Sequence, residues 1–301
     1  MSARASRERA APCYWQGGFT LLEAVVVIVI TGIVSAMVAV FIRAPVEGYI
    51  DSVARAELTD AADTALRRLT REVRTALPNS LREGPPGAAC IEFLPTLGGG
   101  RYRVAPRDAG TGDILGFSLA DQTFDVLAQS NLPPPAGFAG TSAVVYNLGI
   151  TDADAYNPVL RAGSGLSGVN RVAINAGASG VGLITLAAAN QFPFRSPGNR
   201  FQVIANNSVV YYCANNAVWR ATRALPAGAA LAGPAACPQN DFAGPTLLVG
   251  NVNCANSSFT YAPAAAQRNG ILAVTLVLTQ PGARAAETIS LYQEVQVDNT
   301  P

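Results

Sequence analysis

Hydrophobic positions form one dense block near the start of the chain. From Phe19 to Ile42 nearly every residue is apolar, and the run is broken only by Glu23 and a few small or hydroxyl residues. As a helix, these about 24 residues would extend roughly 36 Å, enough to cross a bilayer core of about 30 Å. Beyond this block the pattern changes period. Ile50, Val53, Ala54, Leu58, Ala61, Ala65, Leu66, Leu69, Val73 and Leu77 recur at three- and four-residue spacings, with Asp, Glu and Arg between them. This spacing predicts an amphipathic helix continuing the apolar one from about Phe19 to Leu77 and stopped at Pro78. Pro45 should kink or loosen that helix, and Gly32 is a second soft point. The charged positions read as a solvated face with i,i+4 pairs such as Asp63–Arg67.

After Pro78 the helical period disappears. Short β-type runs replace it at Cys90–Leu94, Arg101–Val104, Ala143–Tyr146, Arg171–Ile174, Phe201–Ile204, Val209–Cys213, Ala217–Arg220, Ile271–Thr279 and Thr288–Val297. Asn215 and Asn216 mark a hairpin turn, and the last two runs suit a final hairpin joined near Pro281-Gly282. The expected fold class is α+β: a long N-terminal helix packed on an antiparallel sheet. Residues 224–245, rich in Ala, Gly and Pro around Cys237, read as a stapled loop. Gly98-Gly99-Gly100 lacks the Lys-Ser/Thr and helix of a phosphate loop. Asp152, Asp154 and Asn157 have calcium-like spacing without the Gly and distal Glu of an EF-hand, so they read as a polar turn. Tyr211, Tyr212 and Trp219 read as sheet packing and not as a sugar platform.

Composition narrows the functional classes. A formal charge of +1 gives no global field that would draw nucleic acid. The chain has no histidine, which removes Ser-His-Asp and Cys-His nucleophile systems and His-bearing metal sites. No cofactor, catalytic residue or metal site is expected, and a non-enzymatic role is. Three leader arginines, Arg4, Arg7 and Arg9, precede the apolar block and only Arg43 follows closely, so the leader should stay cytoplasmic with the bulk of the chain outside. With Cys13 in the leader, Cys90, Cys213, Cys237 and Cys254 remain as candidates for two disulfides in an exported domain. Three connectivities are open. Proximity of Cys213 to Cys254 is the favoured one.

Glu23 is the anomaly, because a carboxylate inside an apolar span costs on the order of a few kcal/mol without a partner. Were the chain cut between Gly18 and Phe19, the new amino group would be a cation able to neutralise a carboxylate in a staggered copy. Two other readings exist: an uncleaved anchor, with Glu23 tolerated by the helix dipole, or a secretory signal cut after Val34-Ser35-Ala36. The glutamate counts against the second.

Gly18-Phe19-Thr20-Leu21-Leu22-Glu23, followed by an unbroken apolar helix, resembles the N-terminal signal of type IV pilins and type II secretion pseudopilins. That family has a basic leader ending in Gly, then Phe-Thr-Leu-x-Glu. The resemblance implies cleavage after Gly18 by a prepilin peptidase, N-methylation of Phe19, and a role for Glu23 in subunit register. It also implies other major and minor pilins and an inner-membrane assembly platform as partners. The implied division is a leader over 1–18, a transmembrane helix over 19–43, a periplasmic amphipathic helix over 44–78 and a β-rich periplasmic domain over 79–301.

A second likeness covers residues 43–80. Pro45-Val46 with Tyr49, Arg55-Ala56-Glu57-Leu58, Ala65-Leu66-Arg67-Arg68 and Leu77-Pro78-Asn79-Ser80 are similar to the minor pilins of mannose-sensitive haemagglutinin pili. Tyr211-Tyr212-Cys213 and Cys254 with Phe259 and Tyr261 extend it. The alternative is a J-type minor pseudopilin at the tip of a type II secretion pseudopilus.

Overall fold

The computed structural model describes residues 18–107, 110–127, 131–263, 269–280 and 288–301. One long helix, α1, covers Leu21–Val73 and runs unbroken through Pro45 and Gly32. The chain divides into two compact units, one ending at Val53 and the other spanning Ala54–Pro301.

In the second unit α1 ends four residues before the expected Leu77. The reason is a competing partner for the backbone. The Leu77 amide turns away from the helix and donates to Leu94 O at 2.7 Å, while Thr75 O accepts from the Thr96 amide at 2.8 Å. A bridge between Ala76 and Pro95 completes the exit. The chain has therefore left the helix before Pro78 is reached.

All strand pairs in the described residues are antiparallel, and they form four sheets where a single one was expected. The first has the order β1 (Arg82–Glu83), β2 (Cys90–Phe93), β9 (Asn207–Ala214), β10 (Ala217–Ala224), β11 (Ala243–Gly250). The second consists of β12 (Ser258–Ala262), β13 (Asn269–Thr279) and β14 (Thr288–Asp298). The third has the order β3 (Thr96–Arg101), β8 (Arg200–Ala205), β5 (Thr141–Val145), β6 (Arg171–Ala173). A pair, β4 (Asp121–Asp125) with β7 (Leu183–Asn190), makes the fourth.

The main core forms where the apolar stripe of α1 meets the first two sheets. Ala62, Ala65, Leu66, Leu69 and Val73 pack with Ile91, Phe93, Val209 and Tyr211, and with Leu272, Val274, Leu276 and Leu278. The alternation of the last four buries one face of β13, as expected from their spacing. β2 and β9 are covered on both faces: Cys90, Val210 and Tyr212 belong to a separate cluster on the far side. A further core gathers Tyr102, Phe124, Phe138, Ile184, Leu186 and Phe201 around the third and fourth sheets.

Local chemistry corrects several expectations. The strand anticipated at Arg101–Val104 lies earlier, over the glycine cluster. Gly98 faces the Asn131 carbonyl so closely that an added Cβ would sit 2.0 Å from its oxygen, so the glycine permits a backbone approach that no side chain allows. The 224–245 segment is not loop throughout, since Ala224 closes β10 and β11 begins at Ala243. Asn215 and Asn216, at φ 52° and 56°, form the two-residue turn between β9 and β10. The join near Pro281-Gly282 lies outside the described residues.

A buried charge network ties the remaining loop to the sheet. Glu92, fully buried in β2, accepts both Arg82 and Arg223, the latter at 3.0 Å with a guanidinium side chain only 3% exposed. Ser208 donates to the same carboxylate, and Asp241 accepts from Arg223 at 2.7 Å. Arg82 also donates to the carbonyls of Leu231 and Ala232. Burial alone would lower the pKa of Arg223, but Asp241 and Glu92 outweigh it and hold the group above its ordinary value. The Cys90–Cys237 disulfide anchors the same loop, and Cys213–Cys254 joins β9 to the turn before β12.

Two outcomes follow. Glu92→Ala leaves two arginines around an empty buried site and should cost about 3–5 kcal/mol in chemical unfolding. A loss no larger than that of an exposed control, Glu57→Ala, would show that the network adds nothing. The second concerns Glu72, which accepts from Arg220 at 2.7 Å and Arg68 at 3.1 Å. Burial pushes its carboxyl up, but the two arginines outweigh burial and hold it below the usual carboxylate range. A carboxyl lowered on folding contributes stability above its unfolded pKa and loses it as pH falls through the folded value. Thermal midpoints should therefore fall between about pH 5 and about pH 3 more steeply in the wild type than in Glu72→Gln. Equal slopes would remove this pair from the acid response.

Candidate functional site

The candidate site is the start of α1, and it is built from few residues. Thr20 stands immediately before the helix. Its hydroxyl accepts the Glu23 amide at 3.3 Å, and its carbonyl accepts the Ala24 amide at 3.1 Å. Thr20-x-x-Glu23 has capping-box spacing, so one residue pair both starts the helix and fixes where the carboxylate sits on it. An acidic group in the first turn is also favoured by the positive end of the helix dipole. The capping role is a local signal that sequence reading passed over in favour of the carboxylate's charge.

Gly18 and Phe19 precede this cap, and Phe19 is 84% exposed. Glu23 is also exposed, and among the described residues it has no ion-pair partner. The sequence therefore places Gly18, Phe19 and Glu23 within a few residues of each other, whereas the four cysteines lie in the second unit.

Along the helix from Leu21 the side chains are apolar on all sides. The most apolar 18-residue window has a mean hydropathy of 3.0, and none of it is buried within the chain. Such a surface is unfavourable in water and suited to lipid or to other apolar helices. Of the two hydroxyl residues towards its middle, Thr31 and Ser35, Thr31 donates to the Val27 carbonyl one turn back. Gly32 is open on all sides, since a Cβ there would meet nothing within 4 Å.

Elsewhere the perturbed groups serve packing. Asp154 is raised by burial, yet its carboxylate is spent on the Tyr156 amide at 2.9 Å. Asp152 accepts from the Arg161 amide at 2.6 Å, so both aspartates of the calcium-like triplet are engaged by backbone amides, while the Asn157 side-chain oxygen is buried without a hydrogen-bond partner. Tyr156 is raised well above its usual value by burial and by the nearby Glu92, and Arg82 stacks 3.5 Å from its ring centre. Tyr211 and Tyr212 are buried sheet residues, and Trp219 donates to the Ala214 carbonyl. Among the described residues no cluster of His, Cys, Asp and Glu is arranged to hold a metal.

Residues 16–39 match the family described as the prokaryotic N-terminal methylation motif. The match supports a type IV pilin-type N-terminus over these residues. The match spans the pilin-like segment alone, in a chain of 301 residues, and includes Gly18, Phe19, Thr20 and Glu23. It implies processing by prepilin peptidase and assembly with other pilins, and with the apolar helix it supports membrane anchoring. No curated protein and no solved structure matches the chain.

An apolar helix of this kind suits membrane anchoring, and on that basis its removal should free the rest. On alkaline extraction of membranes the whole chain should stay with the pellet, while a chain beginning at Ala54 should be recovered in the supernatant. Release of the whole chain would contradict anchoring by this helix.

Proposed function

We propose that the protein is a minor pilin, most like MshO of the mannose-sensitive haemagglutinin pilus, which helps initiate or cap pilus assembly. The observation that carries this reading is the helix start, where Gly18 and Phe19 precede a capped helix bearing a single carboxylate in an otherwise bare apolar surface. On this reading the leader is removed after Gly18 and Phe19 is methylated. The subunit waits in the inner membrane as a single-pass protein with its β-rich domain in the periplasm.

Chemistry then assigns the roles. Cleavage creates a cationic amine at Phe19, and Glu23 supplies the anion that meets it in a neighbouring copy. In an apolar bundle that pairing removes two isolated charges at once, so it is far stronger than the same contact in water. The remaining helix surface gives up lipid contacts for helix contacts as the subunit is drawn out of the membrane. The likeness over residues 43–80, and a length beyond that of a typical major pilin, favour a minor component. A J-type minor pseudopilin shares every one of these features except the 43–80 likeness, and the genes beside its own would separate the two.

The mutation that separates processing from assembly is Glu23→Ala. It should be cut like the wild type yet be depleted at least about tenfold from sheared fibres, a loss equal to the roughly 1.4 kcal/mol of a tenfold change in an equilibrium. Wild-type incorporation of Glu23→Ala would sink the register role.

A further inference from the structure

The face of α1 opposite the main core carries a divided charge pattern that the roles above do not use. Glu57, Asp60 and Asp63 come first along this face, Arg67 and Arg71 follow, and Arg74 comes in the turn directly after Val73, its amide still donating to Thr70 O at 3.1 Å. Asp63 and Arg67 pair with each other at 2.6 Å. Glu57, Asp60, Arg71 and Arg74 are exposed, and none of the four has an ion-pair partner among the described residues. The two arginines border a groove of about 600 Å³ that Gln293 of β14 closes on its other side.

The spacings match. Glu57 and Asp60 are three residues apart, as are Arg71 and Arg74, and the same 14 residues separate Glu57 from Arg71 and Asp60 from Arg74. Fourteen residues make close to four helical turns, so both pairs lie on one side of the helix, about 21 Å apart along its axis.

We propose that this face docks a second copy of the same chain, parallel and displaced by about 21 Å, with Arg71 and Arg74 of one copy against Glu57 and Asp60 of the other. Anchoring in one membrane imposes the parallel direction, because the N-terminal apolar helices of both copies must enter from the same side. At zero displacement like charges face each other and repel. At a displacement of 14 residues all four charges are matched together. Beyond Glu23 the apolar helix cannot make that choice, since an all-round hydrophobic surface packs almost equally well at any axial position. Exposed ion pairs add little affinity, but they do discriminate between registers. Glu23 and Phe19 are only four residues apart, about 6 Å of helix, so their contact belongs to a different neighbour in the same stack.

The inference rests on the reading of the chain as an assembling pilin-like subunit, and the test keeps the two apart. Two differently tagged full-length copies are expressed with prepilin peptidase, extracted in mild detergent at low salt, and purified by one tag while the other is quantified. E57R/D60R paired with itself, and R71E/R74E paired with itself, should each recover at least about fivefold less partner than the wild type, and the mixed pair should regain at least about half. All four positions are exposed, so unchanged unfolding midpoints will report intact folding. Wild-type recovery by either self-paired variant, or a mixed pair no better than its parents, overturns the docking. Recovery of a different anchored subunit with no second copy, in a yield that follows the same charges, overturns the second copy as occupant. N-terminal sequencing of the same material reads the underlying function. A chain that begins at Phe19 but ignores the charge exchange overturns the stagger alone, whereas a chain that begins elsewhere removes the assembly reading beneath it.

Discussion

An apolar helix surface that the chain itself does not cover is the constraint from which the rest follows. Val25 to Ile42 offers branched and aromatic side chains in every direction, most of them more than half exposed. Each such side chain left in water forgoes roughly 1.5–3 kcal/mol of burial. The segment therefore requires lipid or other helices at every stage. Its polar groups conform to that demand. Thr31 is satisfied within the helix, the first turn is capped by Thr20, and Glu23 is the one carboxylate of the apolar block. Such a surface, with one carboxylate in it, suits a helix whose neighbours are lipid or other apolar helices.

The second unit answers a different need. Residues of α1 from Ala62 to Val73 become one wall of a core whose other walls are sheets, so this stretch is held by its own fold. The chain's polar cost is concentrated at Glu92, where two arginines and a serine surround a carboxylate with no access to water, and loop carbonyls hold the arginines in turn. Removal of Glu92 would leave Arg223 buried with only Asp241 and loop carbonyls to compensate it, which makes that carboxylate the network's point of vulnerability. With the Cys90–Cys237 disulfide it fixes a loop that its Ala, Gly and Pro content would otherwise leave to wander.

The sequence signals that proved informative were those of local periodicity. The apolar block, the amphipathic continuation and the final hairpin are legible because their side chains repeat at the period of the element they form. The same holds for Asn215-Asn216, where the turn chemistry is contained in two residues. Strands without that alternation were not legible. β7 ends in an alanine run, β4 reads Asp-Gln-Thr-Phe-Asp, and β11 opens on Ala-Gly-Pro, and none of these patterns announces a strand. The end of α1 was also out of reach, because the strand that captures Leu77 is decided by tertiary pairing with Leu94 and not by Pro78. The partners of Glu92 lie 10, 116 and 131 residues away, so no window along the chain contains them. The candidate site is the opposite case. Gly18, Phe19, Thr20 and Glu23 share one short stretch of chain, so their chemistry can be read from neighbouring letters without any long-range contact.

The central claim is that Phe19 becomes the N-terminus of a membrane-anchored subunit. The most direct measurement is the intact mass and N-terminal sequence of the protein extracted from membranes of cells with and without prepilin peptidase. The account predicts a chain that begins at methylated Phe19 only where the peptidase is present. A chain that begins at Met1 or at Met37 in both cells would contradict it, and the apolar block would then be an ordinary anchor or a secretory signal.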